Sequence, residues 1–260
     1  MMNKFFTQLQ RNDPERISRE YTVGYSSTDF DMRNNQGEQF VPEILPFVMG
    51  AQEDLLGTER TIYSLIGKRI LDLLISGFVF VFVLSWLFPV IGALILTESP
   101  GPILFIQPRS GRKGKSFPCL KFRTMRNASS PQADFQQTAR GDKRVTAIGS
   151  FLRRTNLDEV PQFINVLLGH MSIVGPRPHA VQHDALHWAS PSYRQRYVVK
   201  PGITGLAQIR GARGATDTAQ KMNQRVRYDH FYIPRQSFWF DMKICYKTLM
   251  LMVKGDTNAW

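Results

Sequence analysis

Cysteine, acidic side chains and long apolar runs are all scarce in this sequence of 260 residues. The two cysteines, Cys119 and Cys245, form no CxxC pair and leave no plausible disulfide framework, which suits a reducing cytosol. No secretory signal peptide is recognisable, because the short apolar patch in MMNKFF is soon followed by charged residues. We therefore expect the first sixty residues to be cytosolic.

The shortage of acidic residues leaves 33 Lys and Arg against 21 Asp and Glu, a net charge of +12. Three kinds of partner suit such a chain: anionic lipid headgroups, nucleic acid and phosphorylated substrates. Many of the basic residues lie beside an apolar segment, and no known nucleic-acid-binding motif is present. We therefore expect no nucleic acid partner.

A single stretch, from Leu73 to Thr97, is long and apolar enough to enter a lipid bilayer. It has no charged side chain, and a helix of its roughly 25 residues matches a hydrocarbon core of about 30 Å. A buried core helix is the alternative, but such a helix needs a polar stripe, and this one has only Ser76, Ser85 and Thr97. The pattern favours a membrane segment, which we place at 70–97.

The flanking charges and the proline of this segment predict how it meets the membrane. Lys68 and Arg69 precede it, and further basic residues follow it: Arg109, Arg112, Lys113 and Lys115. Because Lys and Arg accumulate on the cytoplasmic side, both ends favour the same side. Pro89 would break the helix, and the Ser85 hydroxyl is a plausible partner for the backbone groups set free. We therefore favour a re-entrant, proline-kinked hairpin in one leaflet over a straight span.

Composition divides the chain into two unequal parts. Residues 1–60 form a polar N-terminal extension without sustained periodicity, which we expect to be partly disordered. Residues 61–260 form the main domain, which includes the membrane segment. Directly after that segment, Ile103–Gln107 and Phe117–Met125 are predicted strands of a β-hairpin around a basic loop.

Two cations on the second predicted strand, Lys121 and Arg123, share one face because strand side chains alternate. They stand about 6.6 Å apart at roughly 3.3 Å per residue, a spacing that suits two adjacent phosphates. An ordinary solvated strand face is the simpler interpretation of this pair taken alone.

An acidic pair, Asp158 and Glu159, stands where a helix is predicted to begin near Asn156–Asp158 and to end at Gly169. Acidic residues in a first turn often only cap free amides and complement the helix dipole. Here, however, the surrounding sequence is rich in arginine: Arg153, Arg154 and Arg177. Such cations keep a carboxylate ionised and also neutralise phosphate oxygens, so an aspartate could attack phosphorus there.

Three further patterns in the second half of the chain are less specific. His179, His183 and His187 recur every four residues, which favours a polar helix face over a zinc site. The segment 200–214 is a predicted glycine-rich loop that lacks the Walker pattern. An apolar helix from about Phe238, with Trp239 and the flanking Tyr232, suits either the headgroup level of a membrane or a protein core.

Taken together, these blocks resemble the bacterial sugar transferase family, the short, monotopic polyprenyl-phosphate hexose-1-phosphate transferases. The resemblance runs from about Lys68 to Trp260 and depends on blocks in the family's order: KRILDLL, GPILFIQPRSGRKGKSFPCLKFRTM, FLRRTNLDEVPQFINVLLGHMSIVGPRPHA, KPGITGLAQIRG and TNAW. The chain differs from the family pattern at Phe88, His170 and Ala215, the last of which weakens an otherwise favoured assignment to glucose.

The resemblance implies an α+β, mostly helical monotopic protein at the cytoplasmic face of a bacterial inner membrane. Such an enzyme moves a sugar 1-phosphate from a UDP-sugar to undecaprenyl phosphate and releases UMP, as a first membrane step in exopolysaccharide or other surface glycan synthesis. By this resemblance Asp158 is the nucleophile and Glu159 completes the dyad, and both are expected ligands of Mg²⁺. The resemblance gives phosphate binding to the matching cations: Lys121, Arg123, Arg153 and Arg177.

Two questions stay open at this point. The chain could instead be a catalytically silent, membrane-anchored module that binds anionic lipid or a partner through its basic surface. Whether it forms a homodimer is also undecided by the sequence.

Overall fold

The computed structural model describes residues 62–126, 142–181, 184, 187–188, 190–212 and 219–254. The predictions for residues 1–60, for His183 and for Ala215 lie outside the described residues. The helices are α1 (Tyr63–Glu98), α2 (Ala147–Thr155), α3 (Gln162–Leu167), α4 (Pro191–Arg194), α5 (Leu206–Ile209), α6 (Ala219–Tyr232) and α7 (Phe238–Lys254). The strands are β1 (Leu104–Ser110), β2 (Ser116–Phe122), β3 (Ser172–Val174) and β4 (Gly202–Thr204). The prediction of a mostly helical α+β fold is confirmed.

The predicted membrane segment lies within α1, a helix of 36 residues that is long and apolar enough to cross a membrane. Its hydrogen bonding widens to π-helical turns at Tyr63–Gly67 and at Phe80–Leu84. Pro89 is exposed and lies in the α-helical part that follows the second of these turns. The helix thus continues through Pro89, and a hairpin turn at that residue stays a prediction.

Side chains satisfy two backbone carbonyls within the second π-helical turn. The Ser85 hydroxyl donates to the carbonyl of Val81 at 2.5 Å, and the Trp86 indole donates to that of Phe82 at 2.9 Å. Such local partners are what a helix in a water-free environment needs wherever its regular ladder is disturbed.

One side of α1 packs on the rest of the protein over most of its length. Asp72 and Ser76 are buried near its start, and Leu84, Ile91 and Ile95 are buried further along. The remaining side is apolar and exposed, with large side chains that include Phe78, Phe82, Trp86, Val90 and Leu94. The helix therefore offers a long apolar face while it is fastened to the domain at both ends.

The predicted β-hairpin is confirmed, with β1 antiparallel to β2 and Leu104 opposite Phe122. Leu120 and Phe122 pack in one apolar cluster with Ile91 and Ile95 of α1. Asn165 fastens α3 to the hairpin, because its amide oxygen accepts from the Leu120 N–H at 2.9 Å and its amide nitrogen donates to a β2 carbonyl at 2.7 Å.

Part of the predicted glycine-rich loop is instead a strand, since β4 pairs in parallel with β3. Glycine serves close packing here. A Cβ on Gly202 would lie 2.1 Å from the backbone nitrogen of Gly175, too close for any side chain. This pairing places the start of the GPRP segment beside β4.

Helix α7 is held to the start of α1 by a polar cluster around Asp241. Its carboxylate accepts from Lys68 at 2.5 Å, from Tyr63 at 2.6 Å and from Tyr232 at 2.7 Å. Of the two positions left open by the sequence, the protein core applies to Tyr232, which is only 1% exposed, whereas Trp239 is 80% exposed.

Candidate active site

The acidic pair lies on a short 3₁₀ turn, Leu157–Glu159, between α2 and α3. The Thr146 hydroxyl caps the start of α2 by accepting from the Gly149 N–H at 2.9 Å. Asn156 ends that helix in the left-handed conformation with φ 57°, which asparagine tolerates better than most residues. The single helix predicted from Asn156–Asp158 to Gly169 is therefore replaced by this turn and the shorter α3.

Glu159 is the better fastened member of the pair. Its Oε1 accepts from the Lys121 ammonium at 2.7 Å and from Arg177, and its Oε2 accepts from the second Arg177 nitrogen at 3.0 Å. Burial opposes ionisation of Glu159, but Arg177 and Lys121 outweigh it and hold its pKa well below the usual range. Glu159 is thus a fixed anion that binds two of the predicted cations.

Asp158 is equally buried but electrostatically different. Burial raises its pKa to about 6, the charge of Glu159 adds to that increase, and Lys121, Arg153 and Arg177 oppose it. Among the described residues no side chain or backbone N–H donates a hydrogen bond to the Asp158 carboxylate. A carboxylate of this kind is ionised at neutral pH, more basic than an ordinary aspartate, and unengaged, as a nucleophile should be.

The structure separates the two remaining predicted cations. Arg153 is near the dyad, and its Nε donates to the Thr124 hydroxyl at 2.7 Å. Arg123 is 5% exposed and donates to the carbonyls of Pro100 at 2.8 Å and Ser99 at 2.6 Å. Arg123 therefore fastens the chain just beyond α1, which differs from the expected position at a phosphate.

The segment that carries Arg177 is held by arginines from other parts of the chain. Arg109 of β1 donates to the carbonyl of Pro178 at 2.7 Å, and Arg196 donates to the carbonyl of Arg177 at 2.9 Å. Arg196 is fully buried and pairs with Asp229 of α6 at 2.7 Å. These contacts restrict the backbone that presents Arg177 to Glu159.

His179, two residues further on, is buried between two arginines. Its Nδ1 lies 3.2 Å from Arg196 and 2.6 Å from the Tyr193 hydroxyl, and its Nε2 lies 2.9 Å from Arg225. The sequence did not identify this network. A signal for it in the sequence is the i, i+4 pair of opposite charges, Arg225 and Asp229, which share one face of α6.

The dyad can be tested as a ligand set for Mg²⁺. The described residues contain no group of three or more His, Cys, Asp or Glu side chains suited to a metal. Magnesium on a diphosphate needs less, because one or two carboxylates suffice when phosphate oxygens and water complete the octahedron. The Asp158 carboxylate is unengaged, and Oε2 of Glu159 accepts a single hydrogen bond from Arg177. These residues therefore fit an ion shared with a substrate.

Comparison with known proteins supplies a family. The profile of a family described as "Bacterial sugar transferase" matches residues 63–255, a range that includes every residue of the site.

Individual relatives are similar over three quarters of this chain. A UDP-glucose:undecaprenyl-phosphate glucose-1-phosphate transferase of Klebsiella pneumoniae is 46% identical over 75% of this chain and 41% of its own length. A protein of the same name from Caulobacter vibrioides is 46% identical over 74% of this chain and 72% of its own length. A UDP-N-acetylgalactosamine-undecaprenyl-phosphate N-acetylgalactosaminephosphotransferase of Aeromonas hydrophila is 38% identical over 75% of this chain and 45% of its own length. The chain thus spans less than half the length of several relatives.

Proposed function

Because the chain belongs to the bacterial sugar transferase family, we propose that it transfers a sugar 1-phosphate from a UDP-sugar to undecaprenyl phosphate and releases UMP. Two similar proteins are named for glucose 1-phosphate, which favours glucose as the sugar. The observation that carries the proposal is the unengaged, buried Asp158 carboxylate beside Lys121, Arg153 and Arg177. A surface that merely binds anions gains nothing from a carboxylate there.

The first chemical step in this proposal is the attack of Asp158 on the sugar-bearing phosphorus of the UDP-sugar. A new bond forms between a carboxylate oxygen and phosphorus, and the bond from phosphorus to the bridging oxygen breaks. The electron pair of that bond leaves with UMP. Lys121, Arg153 and Arg177 stabilise the charge on the phosphate oxygens and lessen the repulsion between two anions.

The second step regenerates the enzyme. A phosphate oxygen of undecaprenyl phosphate attacks the same phosphorus, and the bond to Asp158 breaks so that the carboxylate is free again. The product is a polyprenyl diphosphate that carries the sugar. Such a product suits the first membrane step of exopolysaccharide or other surface glycan synthesis, to which we assign the protein.

Glu159 positions the phosphate-binding cations in this scheme. Its bidentate pairing with Arg177 and its contact with Lys121 fix both groups before the substrate arrives. Asp158 and Glu159 would also hold Mg²⁺, which neutralises diphosphate charge when bound.

We further propose that α1 enters only one leaflet, so that the protein is monotopic on the cytoplasmic face of the inner membrane. No residue of 77–83 is buried in the protein, but Ser76 and Leu84 on either side are. Those seven residues would extend only about 10 Å at 1.5 Å per residue, far less than a hydrocarbon core of about 30 Å. A straight span would therefore pull one of the packed ends away from the domain.

The chemistry is tested by incubating the purified protein with a panel of UDP-sugars, Mg²⁺ and undecaprenyl phosphate and measuring UMP. We expect release from at least one sugar nucleotide, with UDP-glucose foremost. If no UDP-sugar yields UMP while the lipid is present, a non-catalytic membrane-anchored module would account better for the molecule.

The topology is tested with two variants that each carry one added cysteine at an exposed position. These are Ile62→Cys before the membrane segment and Lys113→Cys after it. We expect a membrane-impermeant maleimide to label neither in intact cells and both in inverted membrane vesicles. Labelling of only one of them in intact cells would mean that α1 crosses the bilayer. The parent protein measures the background from Cys119 and Cys245.

A further inference from the structure

A second cationic cluster lies at the other end of α3, formed by Arg69 and Lys200 beside Gly169. Arg69 Nη2 and Lys200 Nζ lie 3.6 and 3.7 Å from the point that a Cβ on Gly169 would occupy, so the two charges converge there. Gly169 has φ +85°, which favours glycine and keeps the space beside these charges free of a side chain. Arg69 is held in place by donating to the carbonyls of Val166 at 2.7 Å and Leu167 at 3.0 Å.

Unlike the cations around the dyad, those of this cluster are not paired with a carboxylate of the described residues. Among the described residues neither Arg69 nor Lys200 forms a salt bridge. The nearby acid, Asp72, already accepts from the Ser172 hydroxyl at 2.9 Å and the Ile173 N–H at 2.8 Å.

The excess of positive charge affects the groups around it. Burial lowers the pKa of Lys200, the charge of Arg69 lowers it further, and Arg112 adds a smaller decrease that Asp72 opposes. Burial likewise lowers the pKa of His170, and Lys200 contributes to that shift. An anion bound between Arg69 and Lys200 would relieve this repulsion.

The position of the cluster on α1 indicates what kind of anion would bind. Arg69 immediately precedes the apolar segment 70–97, so it stands at the headgroup level when that segment is in the bilayer. The neighbouring helix positions Ile66, Ile70 and Leu73 are exposed and apolar, and so is Leu168, the residue before Gly169. A charged group next to exposed apolar side chains suits a lipid better than a soluble phosphate.

We propose that Arg69 and Lys200 bind the headgroup phosphate of an anionic membrane lipid, with its acyl chains along the exposed face of α1. The inference rests on the proposed membrane attachment but not on the proposed chemistry. The cluster and the dyad lie at opposite ends of α3, a helix of six residues, and share no side chain. The bound lipid would hold α1 against the C-terminal end of the helix that follows the dyad.

The test uses the full-length protein in dodecyl maltoside, titrated with short-chain dioctanoyl phosphatidylglycerol while its melting temperature is followed. We expect a saturable rise, and an apparent affinity about fivefold weaker for Lys200→Gln, in line with the effect of one lysine near an anionic headgroup. Lys143→Gln is the matched control, because Lys143 is an exposed lysine beside the Asp142–Arg144 pair, and it should retain the wild-type affinity.

Two further titrations identify the ligand. Dioctanoyl phosphatidylcholine and inorganic phosphate should each raise the melting temperature far less than phosphatidylglycerol at equal concentration. Equal affinity of the wild type and Lys200→Gln for phosphatidylglycerol would overturn the site, and a Lys200-dependent response to inorganic phosphate of the same size would overturn its lipid assignment. Asp158→Asn should bind the lipid with the wild-type affinity. Because lipid binding and transfer are thus measured separately, loss of the lipid site would leave the proposed transfer reaction untouched.

Discussion

The two ends of α3 carry clusters of similar charge but different composition. Before the helix, Lys121, Arg153 and Arg177 surround two carboxylates, and one of these, Glu159, is hydrogen-bonded to Lys121 and Arg177. After the helix, Arg69 and Lys200 converge, and no carboxylate in the described part of the chain forms a salt bridge with either. The first arrangement suits the proposed nucleophile together with the cations that neutralise its target, whereas the second suits only the binding of an anion.

The two members of the dyad also differ from each other, because their pKa values are shifted in opposite directions. Glu159 has a lowered pKa because Arg177 and Lys121 outweigh its burial, so its charge contributes to the stability of the site. Asp158 has a raised pKa, so its charge is held at the expense of stability. A residue that destabilises the fold but occupies a cationic pocket is a strong candidate for chemistry.

The largest expected effect is that of Asp158→Asn, which should reduce UMP release on the order of a thousandfold or more. It should also raise the melting temperature above pH 7. The folded-state pKa of about 6 lies above the ordinary value of about 4, so stability is lost as the pH rises between these values, and the full loss is present above pH 6. The relief should be on the order of 3 kcal/mol, because each unit of the pKa difference corresponds to about 1.4 kcal/mol.

Glu159→Gln is the matched control for that variant. It removes the anion that Arg177 and Lys121 bind, so it should lower the melting temperature as well as the activity. If Asp158→Asn and Glu159→Gln lowered the melting temperature equally, the opposite effects of the two carboxylates on stability would be contradicted.

Next in size is Arg177→Met, which leaves Glu159 buried with only Lys121 as a cationic partner. Breaking a buried pair in this way costs about 3–5 kcal/mol, and we expect UMP release to fall by about a hundredfold. Denaturant unfolding and initial rates measure the two effects. Arg177→Lys keeps the charge but not the bidentate geometry, so its stability and its rate should lie between those of the wild type and those of Arg177→Met. Wild-type stability of Arg177→Met would show that the pair is not formed in solution.

A tenfold effect is expected from pH. With a pKa of about 6 for Asp158, its ionised fraction should be about tenfold lower at pH 5 than at pH 7, and the rate of transfer from the donor to Asp158 should follow. Lys121 lowers that pKa, so Lys121→Gln should move the midpoint to higher pH, while Lys143→Gln should not. A rate that is flat between pH 5 and pH 7 would argue against an ionised Asp158 as the attacking group.

The smallest effect is expected at the other end of α3. Lys200→Gln should change the rate of transfer from the donor to Asp158 by less than about twofold, since the two clusters share no partners. A quenched-flow measurement with radiolabelled donor gives that rate. A loss as large as that of Arg177→Met would mean that the two clusters act as one site.

Local patterns in the sequence were sufficient to predict the β-hairpin and the cationic surroundings of the acidic pair. Strand alternation and a basic turn define the hairpin, and the arginine-rich surroundings of Asp158 and Glu159 are visible in the linear sequence. The short turn that carries the pair was less predictable, although Asn156 at a helix end is a known signal for the left-handed conformation.

Contacts between distant segments could not be predicted in the same way. Lys121 and Arg123 are two residues apart, yet one binds Glu159 and the other binds carbonyls at the end of α1. Nothing in strand periodicity distinguishes them, because the difference comes from what α1 and the 3₁₀ turn place nearby. The same is true of Arg196 and Asp229, which support Arg177 from 19 and 52 residues further along the chain.

In the proposed reaction, Asp158 takes the sugar phosphate from the donor. The direct measurement is intact-protein and peptide mass spectrometry of the membrane-embedded protein, quenched after mixing with its UDP-sugar in the absence of undecaprenyl phosphate. We expect an added sugar phosphate on the peptide that contains Asp158, which disappears when the lipid is supplied and is absent from Asp158→Asn. An unmodified Asp158 during steady UMP release, or the same adduct in Asp158→Asn, would contradict it.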